Sequence, residues 1–206
     1  MDGVMKRRNV AILIFNDVEI LDFTGPYEVF SVADELHEHL LFNVYTVAER
    51  NDTVQAKNRL SINPSYNIEE CPKPDILVIP GGDGTRALLE NRVILTWIRQ
   101  TERAAEMILS VCTGSLLLAK AGILDGLKAT THHTAIELLS KLAPQTEILS
   151  NIPYVDNGSV VTSAGVSTGI DMCLFVVGKI VSNEVSRLTA HNMEYTPVHP
   201  PLSGKS

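Results

Sequence analysis

This sequence lacks the features of several large protein classes. It has three cysteines, Cys71, Cys112 and Cys173, an odd number at irregular spacing, which argues against a disulfide framework. It has no basic block beyond Lys6-Arg7-Arg8 and a formal net charge of −7. Nucleic acid is therefore not expected as a partner, because phosphate binding needs clustered lysine and arginine. No apolar run reaches the ~18 residues of a membrane-spanning helix. The opening MDGVMKRR leads into a seven-residue apolar run without a cleavage site, which reads as a first strand rather than a secretory signal. None of the six histidines has a spacing diagnostic of a metal site, and no G-x-G-x-x-G follows a strand. There is no internal repeat and no low-complexity linker. The expectation is a reduced, cytoplasmic protein without membrane association.

What is present is an α/β pattern. The 206 residues, 45% hydrophobic and 20% charged, suit one domain with a single large core. The core is expected over about 9–196, with a loose tail over 197–206 inside a proline-containing stretch that begins at Tyr195. Apolar runs predict strands at Val10–Phe15, Phe42–Ala48, Asp75–Ile79, Met107–Val111, Ala129–Thr131 and Val160–Ser163. Helices are predicted at Pro26–Glu35, Arg86–Glu102, Ser115–Ala121, Ala135–Lys141 and Gly169–Ser182. Thr24 reads as the cap of the first helix and Pro26 as part of its first turn. Runs such as DILVIP, apolar throughout, predict burial on both faces. The fold class is therefore a doubly wound, mostly parallel sheet sandwiched by helices.

Four places carry candidate chemistry. Cys112, in SVCTGS, falls where a strand gives way to a helix, the logic of a nucleophile elbow. The positive end of the following helix predicts a depressed thiol pKa and a ready nucleophile; the alternative is a buried small hydrophobe. Gly81 and Gly82, in PGG after the strand DILVI, offer unobstructed amides for an oxyanion or anion cradle, although turns use glycine widely. Asp22 reads either as turn and cap chemistry or as a desolvated acid able to pass a proton at the sulfur. His132, with His133 after ATT, reads equally as a base beside the thiol or as a polar strand end. Cys71 and Cys173 read as ordinary packing residues.

With these pieces in order, the chain resembles the ThiJ/PfpI superfamily, whose fold is flavodoxin-like and class I glutamine-amidotransferase-like. Within it, the likeness is to the isonitrile (isocyanide) hydratases. The matching stretches are LDFTGPYEVF, IPGGDGTRALLE, SVCTGSLLLAKAGILDGLKATTHH, VTSAGVSTGID and MEYTP. The resemblance implies Cys112 as nucleophile, Asp22 as its acidic partner and Thr113 as an orienting neighbour. It matches Gly81 and Gly82 to a loop whose amides face the sulfur, and Val166 to an apolar pocket position. Ala164 stands where that family has glycine, and His132 matches a triad histidine of other branches without an obligatory role here. The implied activity is hydration of a small-molecule isonitrile to an N-substituted formamide by a homodimer, with no metal or organic cofactor. Two alternatives share the elbow. One is a cysteine enzyme acting on amides, peptides or glyoxals with His132 as base. The other is a ligand- or redox-sensing domain like the N-terminal half of AraC-type regulators; no helix-turn-helix follows within these residues, so direct DNA binding is not expected.

Overall fold

The computed structural model describes residues 6–198. Its strands in chain order are β1 (Arg8–Leu13), β2 (Phe42–Ala48), β3 (Val54–Gln55), β4 (Ser61–Ile62), β5 (Tyr66–Asn67), β6 (Ile76–Ile79), β7 (Met107–Val111), β8 (Lys128–Ala129), β9 (Glu147–Ile148), β10 (Tyr154–Asp156) and β11 (Val160–Ser163). The α-helices are α1 (Ile20–Glu35), α2 (Thr85–Leu88), α3 (Arg92–Glu102), α4 (Ser115–Lys120), α5 (Ile136–Leu142), α6 (Thr168–Ile180) and α7 (Asn183–Asn192).

Seven strands make the central sheet, in the order β10-β11-β7-β6-β1-β2-β5. All its pairings are parallel except β10 with β11. The middle strands β6 and β7 are buried at every residue, as a sheet covered on both faces requires. The helices pack in two groups, α1 with α6 and α7, and α4 with α2, α3 and α5. This is the doubly wound sandwich expected from the alternation of strand and helix.

The register matters for function. Ile79 of β6 pairs with Ser110 of β7, and Ile12 of β1 pairs with Val78 of β6. The three strands therefore end at one level, so the loops after Leu13, Ile79 and Val111 emerge side by side. An isolated bridge between Val18 and Gly82 and a bond from the Glu19 amide to the Gly81 carbonyl (2.9 Å) tie two of these loops together.

Several local readings change. α1 begins at Ile20, with Glu19 as cap, because the bridge to Gly82 ends the preceding loop early. Thr24 is inside the helix, its hydroxyl donating to the Ile20 carbonyl (2.8 Å), and Pro26 is no longer in the first turn. The helix expected over 86–102 is two helices: Asn91 stops the first and caps the second, accepting from the Val93 and Ile94 amides. The ATT strand shortens to Lys128–Ala129 and pairs with β9 outside the main sheet. The strand β10 and the helix α7 were not expected. Ser182, read as the end of a helix, caps α7 by accepting from the Val185 amide. Tyr195 is held rather than loose, its hydroxyl donating to Asp171 (3.1 Å); the expected tail from residue 199 onward lies outside the described residues.

One buried carboxylate organises the α1–β2 connection. Asp34, 4% exposed, accepts from the Leu41 and Phe42 amides on one oxygen. Arg7 donates to the other, and the His39 ring lies within hydrogen-bond distance of it. Burial alone would raise its pKa, but these donors outweigh burial and hold it below the usual carboxylate value. Asp34→Ala should cost about 3 kcal/mol, because it strands two backbone donors in the interior. Urea unfolding at pH 7 measures the loss. Since the folded pKa is depressed, the difference should shrink as pH falls through that value; a loss below 1 kcal/mol would show that the turn holds without its carboxylate.

Candidate functional site

The sequence-predicted residues meet where β1, β6 and β7 end. Cys112 opens a short 3-10 turn, Cys112–Gly114, that leads into α4. Its φ is 56°, a left-handed conformation that costs a non-glycine residue on the order of 1–3 kcal/mol. The turn is held from three directions. Thr131 donates to the Cys112 carbonyl (2.9 Å) and Ser115 to the same oxygen (3.2 Å). Gly114 passes so close to β6 that a methyl there would run into the Ile79 carbonyl. Only glycine lets the elbow sit this deep.

The PGG loop faces it. The Gly81 amide donates to Asp22 Oδ2 (2.9 Å) and the Gly82 amide to Thr113 Oγ1 (2.9 Å). A side chain at Gly81 would fall 2.5 Å from the Thr113 nitrogen and 2.8 Å from Asp22 Oδ2, so its absence permits the contact. Both amides expected to line an anion cradle are thus engaged, by the candidate acid and by the neighbour of the candidate nucleophile. Asp22 sits in the first turn of α1 and is fully buried. Its second oxygen, Oδ1, has no hydrogen-bond partner among the described residues.

Burial, more than any other effect, raises the Asp22 carboxyl to about 7, helped by Glu19 and opposed by the Gly81 amide and the Cys112 thiol. Burial likewise pushes the Cys112 thiol up to about 12, with the Asp22 charge adding to it and the Thr113 amide opposing. The two groups are therefore close enough to perturb each other, without the alignment of a formed hydrogen bond. This corrects the expected depressed thiol. α4 has only six residues, and its dipole end is outweighed by desolvation and by the carboxylate. Both shifts favour the protonated forms, and the carboxyl, which ends at the lower value, is the first of the two to ionise.

His132 is elsewhere in its bonding. Its Nδ1 lies 2.8 Å from Thr134 Oγ1, its ring lies 4.1 Å from that of His133, and no hydrogen bond joins it to Cys112 among the described residues. Burial, then His133 and Arg86, lower its pKa. Val166 is half-buried in the loop between β11 and α6, beside Gly165, where an added side chain would touch the His132 ring at 3.7 Å. Cys71 is half-buried against Ile68 and Cys173 fully buried within α6.

Sequence reasoning missed four contributors. Thr85 is fully buried and donates to the Gly82 carbonyl (2.8 Å), locking the PGG loop. Arg86 donates to that carbonyl from outside (3.2 Å). Ser115 and Thr131 hold the elbow carbonyl, as described above. The polar run DGTR directly after PGG was the available signal for the first two; Thr131, distant in sequence, gave none.

A cavity of about 320 Å³ adjoins the elbow, lined by Thr131, His133, Ile152, Ala164, Gly165 and Thr168 among others, and Cys112 is not part of its wall. Cys112 itself is 6% exposed. The site therefore admits a narrow group. Among the described residues there is no cluster of three or more candidate metal ligands, and no helix is long and apolar enough to cross a membrane.

The chain is similar to proteins of several kinds. It is 33% identical to the isonitrile hydratase of Pseudomonas putida over 95% of this chain and 82% of that protein. It is 29% identical to the HTH-type transcriptional regulator CdhR of Pseudomonas aeruginosa over 81% of this chain, which spans about half of the regulator (49%). The crystal structure of a ThiJ/PfpI family protein from Pseudomonas syringae superposes with a TM-score of 0.84 at 29% identity, covering 98% of this chain and 81% of that one. Drosophila melanogaster DJ-1beta shares the fold, with a TM-score of 0.81 at 19% identity over 92% and 99% of the two chains. Residues 8–179 match the DJ-1/PfpI family, and the chain belongs to that family.

Proposed function

We propose that this protein hydrates isonitriles to N-substituted formamides through a thioimidate on Cys112. The observation that carries the reading is the buried pair of Cys112 and Asp22, a soft nucleophile beside a carboxyl whose pKa is about 7. The likeness to an isonitrile hydratase points the same way. A terminal isonitrile carbon is narrow enough for a sulfur that is 6% exposed; a peptide bond, flanked by chain on both sides, is not.

The steps balance without a metal or organic cofactor. Ionised Asp22 takes the thiol proton as the sulfur bonds to the terminal carbon of R–NC, and returns that proton to the same carbon. The product is the thioimidate Cys112–S–CH=N–R. Water adds across C=N, its hydroxyl on carbon and its proton on nitrogen. Collapse of the adduct breaks the C–S bond, the hydroxyl proton returns to sulfur, and R–NH–CHO leaves. A carboxyl poised near neutrality suits this shuttle, since it must both accept and release the proton. The Gly81 amide orients it by fixing one carboxyl oxygen, and Thr113 braces the PGG loop by accepting from the Gly82 amide.

The direct test is conversion of a simple isonitrile to its formamide by purified protein, followed by NMR. The active form of the pair carries one proton, so kcat/KM should rise tenfold per pH unit up to about 7 and then stay level to pH 9. A profile rising instead through pH 8–9 would assign the limiting ionisation to an ordinary thiol and remove Asp22 from the shuttle.

A sensing role is the second reading, favoured by the match to half of a transcriptional regulator. It predicts binding of isonitrile or oxidation of Cys112 without turnover, which the same assay separates. An amidase with His132 as base has less support, because no hydrogen bond links that ring to the thiol.

A further inference from the structure

The lip of the elbow carries a guanidinium that makes no ion pair among the described residues. Lys57 is held by Glu19 (3.1 Å) and lies 3.8 Å from Asp83. Arg86, which is exposed, forms no ion pair among the described residues. Its Nη1 donates to the Gly82 carbonyl (3.2 Å) and to Thr85 Oγ1 (3.3 Å). Its Nε and Nη2 have no partner among the described residues. These two atoms form the side-on edge with which a guanidinium grips a carboxylate by two parallel hydrogen bonds. The anchored Nη1 fixes the plane of the group, so that edge is presented with little remaining freedom.

The position is close to the chemistry. The Gly82 carbonyl that Arg86 holds also accepts from Thr113 Oγ1 (3.2 Å), and Thr113 follows Cys112 directly. On the far side, the guanidinium acts electrostatically on His132, whose Nδ1 is engaged with Thr134 and whose Nε2 has no partner among the described residues. The guanidinium and the imidazole are thus near enough to feel each other, each with an unpartnered nitrogen among the described residues. The charges of Lys57 and Arg86 are matched by those of Glu19 and Asp83, so long-range attraction of anions is not the device. A local contact is.

We infer that Arg86, with His132 beside it, reads a carboxylate on the substituent of the isonitrile, making short isonitriles that bear an acid the preferred substrates. This rests on the hydratase reading and narrows it to a substrate class. Only the Gly82 carbonyl and Thr113 stand between the guanidinium and the residue that carries the sulfur, which is why a short substituent is the one inferred.

The experiment compares isocyanoacetate with its uncharged methyl ester, using wild type, Arg86→Gln and Arg86→Lys. Wild type should favour the acid by about tenfold or more in kcat/KM, expressed mainly in KM, as expected for a charge-assisted fork. Arg86→Gln should lose at least tenfold more activity on the acid than on the ester. Arg86→Lys should recover only part of the preference, because an ammonium cannot make the paired contact. Equal turnover of acid and ester by wild type overturns the inference. So does an equal loss on both substrates in Arg86→Gln, which would leave Arg86 as a residue that merely positions Gly82. If wild type turns over neither compound nor any simple isonitrile, the hydratase reading fails, and this inference with it.

Discussion

Cys112→Ser should lower isonitrile turnover by at least about a thousandfold, the scale of losing a nucleophile, while stability stays within about 1 kcal/mol of wild type. The two halves of this expectation have separate causes. The position is strained at φ 56°, but serine inherits the same strain, and its hydroxyl fits the space of the thiol. The backbone braces, Thr131 and Ser115 on the Cys112 carbonyl, do not involve the side chain. Chemistry is another matter. A carboxyl at about 7 already works uphill to deprotonate a thiol at about 12, and a hydroxyl is far less acidic. Sulfur also bonds to a soft terminal carbon more readily than oxygen does. Formamide production followed by NMR, together with urea unfolding, reads both halves. Retention of a tenth of wild-type turnover would remove Cys112 as nucleophile.

Asp22→Asn should abolish turnover on a similar scale and yet make the protein more stable at alkaline pH. The sign follows from the direction of the shift. The carboxyl goes from 3.8 to about 7 on folding, so the folded state favours the protonated acid and resists the ionised one. Below pH 3.8 there is no difference; the penalty grows between pH 4 and 7 and is complete above. About three pH units at roughly 1.4 kcal/mol each give a penalty on the order of 4 kcal/mol. Asparagine never ionises. It keeps an acceptor for the Gly81 amide, but its buried NH2 takes back part of the gain. A net stabilisation of about 2 kcal/mol at pH 8.5, vanishing near pH 4, is expected from urea unfolding at the two values. Iodoacetamide gives an independent reading. The Asp22 charge adds to the raised thiol pKa, so Cys112 should alkylate faster at pH 9 in the variant than in wild type, even as hydration is lost. Parallel stability curves across the pH range would mean that Asp22 is not held in the strained ionised state described here.

The arrangement of the sheet was legible because its signals are local. DILVIP and MILSV are apolar at consecutive positions, and a strand buried on both faces leaves that trace. The elbow was legible for the same reason: a cysteine between a β-like run and T-G-S marks its own turn. The start of α1 was not, because Glu19 ends the loop through a bridge between Val18 and Gly82, a contact between distant segments. T-G-P imitated a cap that the tertiary structure had already superseded. The break at Asn91 was within reach, since a cap residue stood in the sequence, but the apolar periodicity running through it dominated the reading. The thiol pKa was the largest miss. Placement at a helix start is a sequence property, while desolvation and the charge of a carboxylate ninety residues earlier are not. Thr85 and Thr131 were invisible for the same cause: a threonine announces nothing until its neighbours in space are known.

The bond from the Gly81 amide to Asp22 spans 59 residues, and that from the Gly82 amide to Thr113 spans 31. A chain emerging from the ribosome therefore carries its carboxyl, then its loop, then its sulfur, none of them yet in contact with the others. Neither half of the polypeptide contains the whole set, and no local segment can rehearse it. Recovery of catalysis after dilution from urea should consequently lag behind recovery of helical signal, because it waits for the last pair of loops to close. Cys112 meets its carboxyl only when folding has finished, so the proposed hydration would serve as a clock for assembly.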